Sequence, residues 1–259
     1  MGARGFQLAG RFSLQMEAAT IKTILTLISG LCWTIVYLDG IRIGLRDKSY
    51  AIPFYALALN FAWELLYTIL GFRTEGATVQ NVINAIWFTF DIGILYTYFR
   101  FGRRDFAARI FDPSAYADST DPQVNASDDT VGSDRRFVAW SVLGLITAFA
   151  VQYAFRREFG IGKGASYSAF SQNLLMSVLF IAMLARRRSR EGQSLTIAVN
   201  KWIGTLAPTI LYGALGEGVF PRGSFLILTL GVFCSVFDLI YIWLLARMKP
   251  VRTTVSGKP

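Results

Sequence analysis

The chain reads as an all-α polytopic membrane protein, a bundle of seven transmembrane helices with its N-terminus outside or lumenal and its C-terminus cytosolic. Three observations predict this. Hydrophobic residues make up 53% of the 259 residues against 17% charged, a balance that a surface facing water on all sides does not carry. Seven stretches reach the roughly 20 residues that an α-helix needs to cross a bilayer at about 1.5 Å per residue. Basic residues collect at alternate ends of those stretches, 18 on one side and 8 on the other, and the richer side is the cytosolic one.

Taken in order, the spans are expected at 21–39, 50–71, 78–100, 136–155, 166–186, 195–215 and 224–247. The first is too long for a removable signal peptide and lacks a small-residue cleavage site. The connections are short except for about 101–135, which carries Pro113, Pro122 and a run of aspartates and reads as a solvated cytosolic loop. The poorer side holds Arg4, Arg11, Lys22, Arg73, Arg156, Arg157, Lys163 and Arg222. The richer side includes Arg100, Arg103, Arg104, Arg186, Arg187, Arg188 and Arg190, with Lys201 assigned to it. The net charge of +9 is therefore a matter of membrane orientation, with the lipid bilayer as partner and no nucleic acid implied. Residues 1–259 are read as one seven-helix domain.

Composition also excludes chemistries. There is no histidine, which removes the Ser-His-Asp triad, the Cys-His pair, histidine-ligated metals and the usual proton carrier near neutral pH. Cys32 and Cys234 lie inside apolar runs and read as small buried hydrophobes. Acid–base work is left to carboxyl groups, tyrosine and lysine.

An ionisable residue at membrane depth is costly, so each is a functional candidate. Four acids lie in the spans: Asp39 near a cytosolic end, then Glu64, Asp91 and Asp238 deeper. Asn60, Trp63, Glu64 and Tyr67 recur at helical spacing and share one face. Asn84, Trp87 and Asp91 form a comparable stripe on the third span, and Ser235, Asp238 and Tyr241 on the seventh. Facing inward, these stripes would line an apolar, aromatic cavity holding a few carboxyl groups. The competing reading makes the acids polar glue between helices. It suits Asp39, which has Arg42 and Arg46 in reach, and for Asp91 the two readings are balanced. Glu64 and Asp238 are the functional candidates.

Missing patterns narrow the chemistry further. No aspartate cluster lies on an apolar helix to hold the Mg²⁺ that ionises a prenyl diphosphate. Asp128, Asp129 and Asp134 fall in the polar loop. The Asp-x-Asp-Asp pattern of soluble proton-initiated cyclases, a Schiff-base lysine in the last span, and glycine patterns for nucleotides are all absent.

The chain resembles the small seven-span terpene cyclases of fungal meroterpenoid and indole-diterpene pathways and their bacterial relatives in indole-terpenoid pathways. The resemblance is carried by Asn60-Phe-Ala-Trp63-Glu64-Leu-Leu-Tyr67, by Ser168-Ala-Phe-Ser171-Gln172-Asn173-Leu-Leu-Met-Ser177, and by Arg190-Glu-Gly-Gln-Ser194 followed by Lys201-Trp-Ile-Gly204-Thr205. Val236-Phe-Asp238-Leu-Ile-Tyr241 completes it. It spans nearly the whole chain, although the 101–135 segment is longer than the pattern expects. It implies cyclisation of a prenyl chain, often epoxidised, already attached to a polyketide, indole or other aromatic head. Glu64 and Asp238 fall where the family's two essential acids are expected. A prenyltransferase and an epoxidase would be the pathway partners.

That chemistry is physically coherent with the residues. Burial favours the neutral form of a carboxyl group, which can then protonate an epoxide or alkene as general acid. The resulting carbocation needs ring faces rather than an anion, and Trp63, Trp87, Phe90, Tyr96, Trp202, Phe237 and Tyr241 are the candidates. Asn60, Tyr67, Asp91 and Asn173 complete the expected substrate-binding set. Asp238, nearer the cytosolic end of its span, is expected to donate the proton, with Glu64 tuning it or accepting one; one cavity would hold both. No metal or organic cofactor is required. The alternative is a transporter built from parallel three-helix repeats, hinted at by Phe90-Asp91-Ile92 against Phe237-Asp238-Leu239. Arginine outnumbers lysine 20 to 6, as in a GC-rich bacterial genome, hence a plasma membrane; in a fungus the same topology points to the endoplasmic reticulum.

Overall fold

The computed structural model describes residues 2–107 and 130–248. They form helices α1 (Gly2–Arg46), α2 (Phe54–Glu75), α3 (Val79–Phe101), the short α4 (Arg103–Ala107), α5 (Thr130–Arg187), α6 (Leu195–Pro208) and α7 (Phe225–Arg247). A π-helical segment, Thr209–Leu215, continues α6. Among the described residues the only extended pairing is an isolated bridge between Glu217 and Phe220. The architecture is all-helical, as the composition predicts. Among the described residues, five helices are long and apolar enough to cross a membrane, namely the 16–46 part of α1, α2, α3, α5 and α7.

The 58-residue α5 is two rods. At Gly160 the backbone takes φ 76°, ψ −176°, a region essentially reserved for glycine. Beyond it the chain doubles back: Gln152 Nε2 donates to Gln172 Oε1 at 2.7 Å, although the two would stand about 30 Å apart along a straight helix. The fourth and fifth expected spans thus meet at a single glycine instead of a connecting loop. With the continuous α6 and π segment counted as one, the described residues form seven rods besides the short α4.

Local sequence starts and stops each rod. Thr78, Ser194 and Ser224 cap α3, α6 and α7, each hydroxyl accepting a backbone N–H three residues on. Pro53 precedes α2, and Gly76 ends it at φ 73°. α2 therefore begins four residues later than hydropathy suggests, and α1 runs seven residues past the expected end at 39. The flanks of the 101–135 segment are helical and pinned: Arg187 pairs with Asp105 at 3.0 Å and Arg103 with Asp134 at 2.8 Å. Residues 108–129 of that expected loop, including Asp128 and Asp129, lie outside the described residues.

The outer surface, unlike that of a soluble protein, carries many large apolar side chains, over a largely apolar core that also holds polar groups. Leu27, Leu31, Ile146 and Phe225 point outward, while Glu64, Asp91, Gln152, Ser177, Lys201 and Asp238 are buried. Lys201 thereby leaves the cytosolic tally to which it was assigned, because its ammonium is satisfied inside the bundle and cannot respond to either face; the count becomes 17 against 8.

Candidate active site

Two polar networks occupy the interior. The first joins α1, α2, α3 and both arms of α5. Asn60 Nδ2 donates to Asp91 Oδ2 at 2.9 Å and to the Tyr37 hydroxyl at 2.7 Å, and Tyr37 in turn donates to Glu64 Oε1 at 3.3 Å. The Asn60 carbonyl accepts from Gln172 Nε2 at 3.0 Å, and Gln172 accepts from Gln152. Asn60 thus has its two N–H bonds and its oxygen engaged, which fixes the amide and aims its donors at the acids. Two carboxyl groups share this network, and among the described residues no cation hydrogen-bonds to either. Glu64 Oε2 and Asp91 Oδ1 are buried with no hydrogen-bond partner among those residues.

Rings surround the hub. Tyr37 lies 6.3 Å from Trp33, 6.1 Å from Trp87 and 6.2 Å from Phe90, centre to centre. Trp87 donates its indole N–H to Thr34, and Trp63 donates to the Ala165 carbonyl while packing on Tyr67 at 5.1 Å. These bonds turn the ring faces in fixed directions.

The second network joins α5, α6 and α7. Lys201 Nζ donates to both oxygens of Asp238, at 2.7 and 2.9 Å, and to Ser177 Oγ at 2.7 Å. All three ammonium protons are used. This bears on the expected roles: a carboxylate gripped by an ammonium accepts hydrogen bonds and is ill suited to give a proton away. Glu64 and Asp238 also share no hydrogen-bonded partner. Gln172 and Ser177, the α5 members of the two networks, are five residues or about 7.5 Å apart along the helix.

The remaining candidates divide. Asn173 and Trp202 are half-buried, each with a side-chain polar atom lacking a partner among the described residues. Phe237 is half-buried beside Asp238. Tyr241 packs on Phe180 at 5.1 Å and donates to Gln193, toward the α6 start and away from the acids. Tyr96 is a correction: it is 58% exposed on the outer face of α3, because it lies five residues from Asp91 and so on the opposite side of the helix. Asp39 pairs with Arg42 and accepts from Ser194, whereas Arg46 turns to Asp47. Sequence reasoning missed Tyr37 as the hub and Lys201 as the partner of Asp238. The Trp33/Tyr37 spacing on α1 was the available signal for the first. Lysine inside an apolar helix was the signal for the second.

Comparison with known proteins gives one consistent answer. The model of the Pyr4-like transmembrane terpene cyclases matches residues 7–114 and 121–250. The Pyr4-family terpene cyclase mfmH of Annulohypoxylon moriforme is 30% identical over 73% of this chain and 68% of its own. Terpene cyclase nodB of Hypoxylon pulicicidum is 29% identical over 71% of the chain and 67% of its own. Terpene cyclase pyr4 of Aspergillus fumigatus is 24% identical over 90% and 89%. No solved structure matches the chain.

Proposed function

From the chain's membership of the Pyr4-like transmembrane terpene cyclases, integral membrane enzymes that cyclise terpenoid substrates, we infer a proton-initiated cyclisation with Glu64 as the initiating acid. The substrate is a prenyl chain, epoxidised or ending in an alkene, attached to an aromatic, indole or polyketide head. The pathway is meroterpenoid or indole-terpenoid biosynthesis, with a prenyltransferase and, for the epoxide, an epoxidase acting before it. All seven rods cross the bilayer, with the C-terminus in the cytosol. The membrane is the endoplasmic reticulum in a fungal host and the plasma membrane in a bacterial one.

One observation carries the acid assignment. Glu64 has one oxygen held by Tyr37 and the other without a partner, inside a network of two carboxyls and no cation among the described residues. Two neighbouring anions without a counter-charge are not sustained away from water, so the pair retains a proton. The free oxygen of Glu64 can present that proton to an epoxide oxygen or to the terminal alkene carbon. In the epoxide case the O–H bond forms as the C–O bond breaks, and positive charge appears on carbon. The alkene π electrons close the ring, and the faces of Trp33, Trp87 and Phe90 stabilise the cation without bonding to it. Loss of a proton from the final cation restores an alkene. Asp238, anionic beside Lys201, is the carboxylate suited to accept it.

Membership of an enzyme family favours this reading over the transport alternative. The test is turnover in isolated membranes. An epoxyprenyl arene should be cyclised in EDTA while free farnesyl diphosphate is left unconsumed. Loss on chelation with rescue by Mg²⁺ would overturn the mechanism.

A further inference from the structure

A cavity of about 230 Å³ lies at the end of the bundle where α2 begins and α3 ends, apart from both acid networks. Its walls are aromatic. Phe54 stacks on Tyr98 at 4.3 Å, Tyr50 stands edge-on to Tyr98 at 5.3 Å, and Tyr55 and Trp140 flank the mouth in a T-shaped pair at 6.3 Å. Its rim is polar: Arg186 donates to the Tyr50 hydroxyl at 2.7 Å, and Asp105 accepts from Arg187.

The cavity is in register with the acid network on three helices. Pro53, Tyr98 and Leu179 line it, and each is seven residues from a network member: Asn60 on α2, Asp91 on α3 and Gln172 on α5. Seven residues are two helical turns, so each pair shares a face about 10 Å apart. The cavity and the acids therefore stand in line along one three-helix seam. Leu57, Ile94 and Met176, all fully buried, stand about one turn in from the lining on the same three helices. Met176 is unbranched and adaptable in shape.

We propose that this cavity binds the aromatic head of the substrate, the prenyl chain running along the seam past Met176 to Glu64. The proposal rests on the cyclase reading above. Size and chemistry select the occupant. The volume falls short of the roughly 300–1,000 Å³ that takes a whole drug-sized ligand, so it holds a part of one. Ring faces and edges favour a flat aromatic group through offset and T-shaped contacts, which an isoprenoid chain does not need. The Arg186, Tyr50 and Asp105 rim meets the hydroxyl, carbonyl or N–H that such heads carry. Glu64 lies one turn beyond Asn60, eleven residues or about 16 Å along α2 from Pro53, which an extended chain of about three isoprene units spans.

The test is photolabelling of the full chain in membranes with farnesyl 4-azidophenyl ether, in wild type and Glu64→Gln, followed by peptide mapping. Assigned to single residues by fragmenting the labelled peptides, adducts should fall on Tyr55, Trp140 and Met183 in both proteins. Ala182→Trp, placed at the mouth, should cut that labelling at least tenfold; Leu179→Trp, from the inner wall, should do the same. Adducts spread over outward-facing residues such as Leu143 and Ile146, and indifferent to both tryptophans, would overturn the proposal. Cavity labelling combined with full turnover by Glu64→Gln would leave the head site standing and remove the acid assignment instead.

Discussion

Lys201 Nζ lies 2.7 Å from Asp238 Oδ1, and neither side chain is more than 2% exposed. Breaking such a pair from one side leaves a buried charge without a partner and costs about 3–5 kcal/mol, whereas replacing both members by apolar groups is often neutral. Lys201→Met and Asp238→Leu should each lower the thermal midpoint in detergent sharply, and the double variant should recover most of it. Turnover should not return with stability, because the double variant lacks the carboxylate proposed to take the final proton. Recovery of both would make the pair a clamp on α5, α6 and α7 and nothing more.

The hairpin in α5 gives a backbone prediction. Gly160 has no neighbour within 4 Å of an added Cβ, so Gly160→Ala meets no clash and tests conformation alone. Its φ and ψ should make that change cost about 1–3 kcal/mol. Gly30→Ala also meets nothing within 4 Å but sits in the regular helix α1, where alanine should be neutral or stabilising by up to about 1 kcal/mol. Equal thermal midpoints for the two variants would contradict the reading of Gly160 as the point of reversal.

These features mark how far the sequence can be read. Hydropathy finds the rods, because apolar length is a local property. It misplaces the join at Gly160, since Gly160, Gly162 and Gly164 together read as a short loop, whereas only Gly160 leaves helical geometry. Likewise, helical spacing puts Asn60 and Glu64 on one face and Asp91 on a face of its own, but it cannot pair helices. Tyr37 enters the site from α1 across that gap. Spacing also cannot say that Lys201 points inward, so the lysine is counted with the cytosolic bases and Asp238 looks free to donate. Tyr96 fails for a simpler reason: aromatic residues serve lipid contact as readily as ligand contact.

At the end of α1, Asp47 accepts from Arg46 at 2.6 Å and from the Gly192 N–H at 3.0 Å. Burial pushes its carboxyl up, but the Arg46 bond, the Gly192 N–H and the charges of Arg46 and Arg42 outweigh it and hold it below the usual carboxylate range. A carboxyl lowered in the fold stabilises above its unfolded value of about 3.9, and that contribution is lost as pH falls through the lowered value. Melting in detergent should therefore show wild type more stable than Asp47→Asn at pH 6, with the gap closing below about pH 4. A gap that widens on acidification would refute the assignment.

Orientation can be tested at the two ends of the bundle. Arg190 and Arg222 lie at opposite ends, the first beside the α6 start and the second before α7. In a chain whose own cysteines, both buried, are replaced, a cysteine at 190 should react with an impermeant maleimide only when the cytosolic face is open to it. A cysteine at 222 should react from the other face. The reverse pattern would invert the topology drawn from the 17 against 8 basic residues.

The acid network allows the sharpest test of mechanism, because its members should differ in how they fail. Glu64→Gln keeps the shape and can still accept from Tyr37, but it has no acidic proton to give. Turnover should fall by at least the roughly 10²-fold that a general acid contributes, with protein level and melting unchanged. Asp91→Asn removes the second carboxyl, and with it the reason Glu64 must share a proton; Glu64 can then sit closer to the behaviour of an isolated buried acid. Its effect should be smaller than that of Glu64→Gln and should alter the pH profile of turnover rather than only its height. Tyr37→Phe keeps the ring beside Trp33, Trp87 and Phe90 but frees Glu64 Oε1 and removes the acceptor for Asn60, so rate should fall while substrate affinity holds. Asp39→Asn, in the Arg42 and Ser194 cluster at the bundle end, should change turnover by no more than a few-fold. If Glu64→Gln cyclises at the wild-type rate while Asp238→Asn, verified as folded, does not, the initiating proton comes from the second network and the roles of the two acids are reversed.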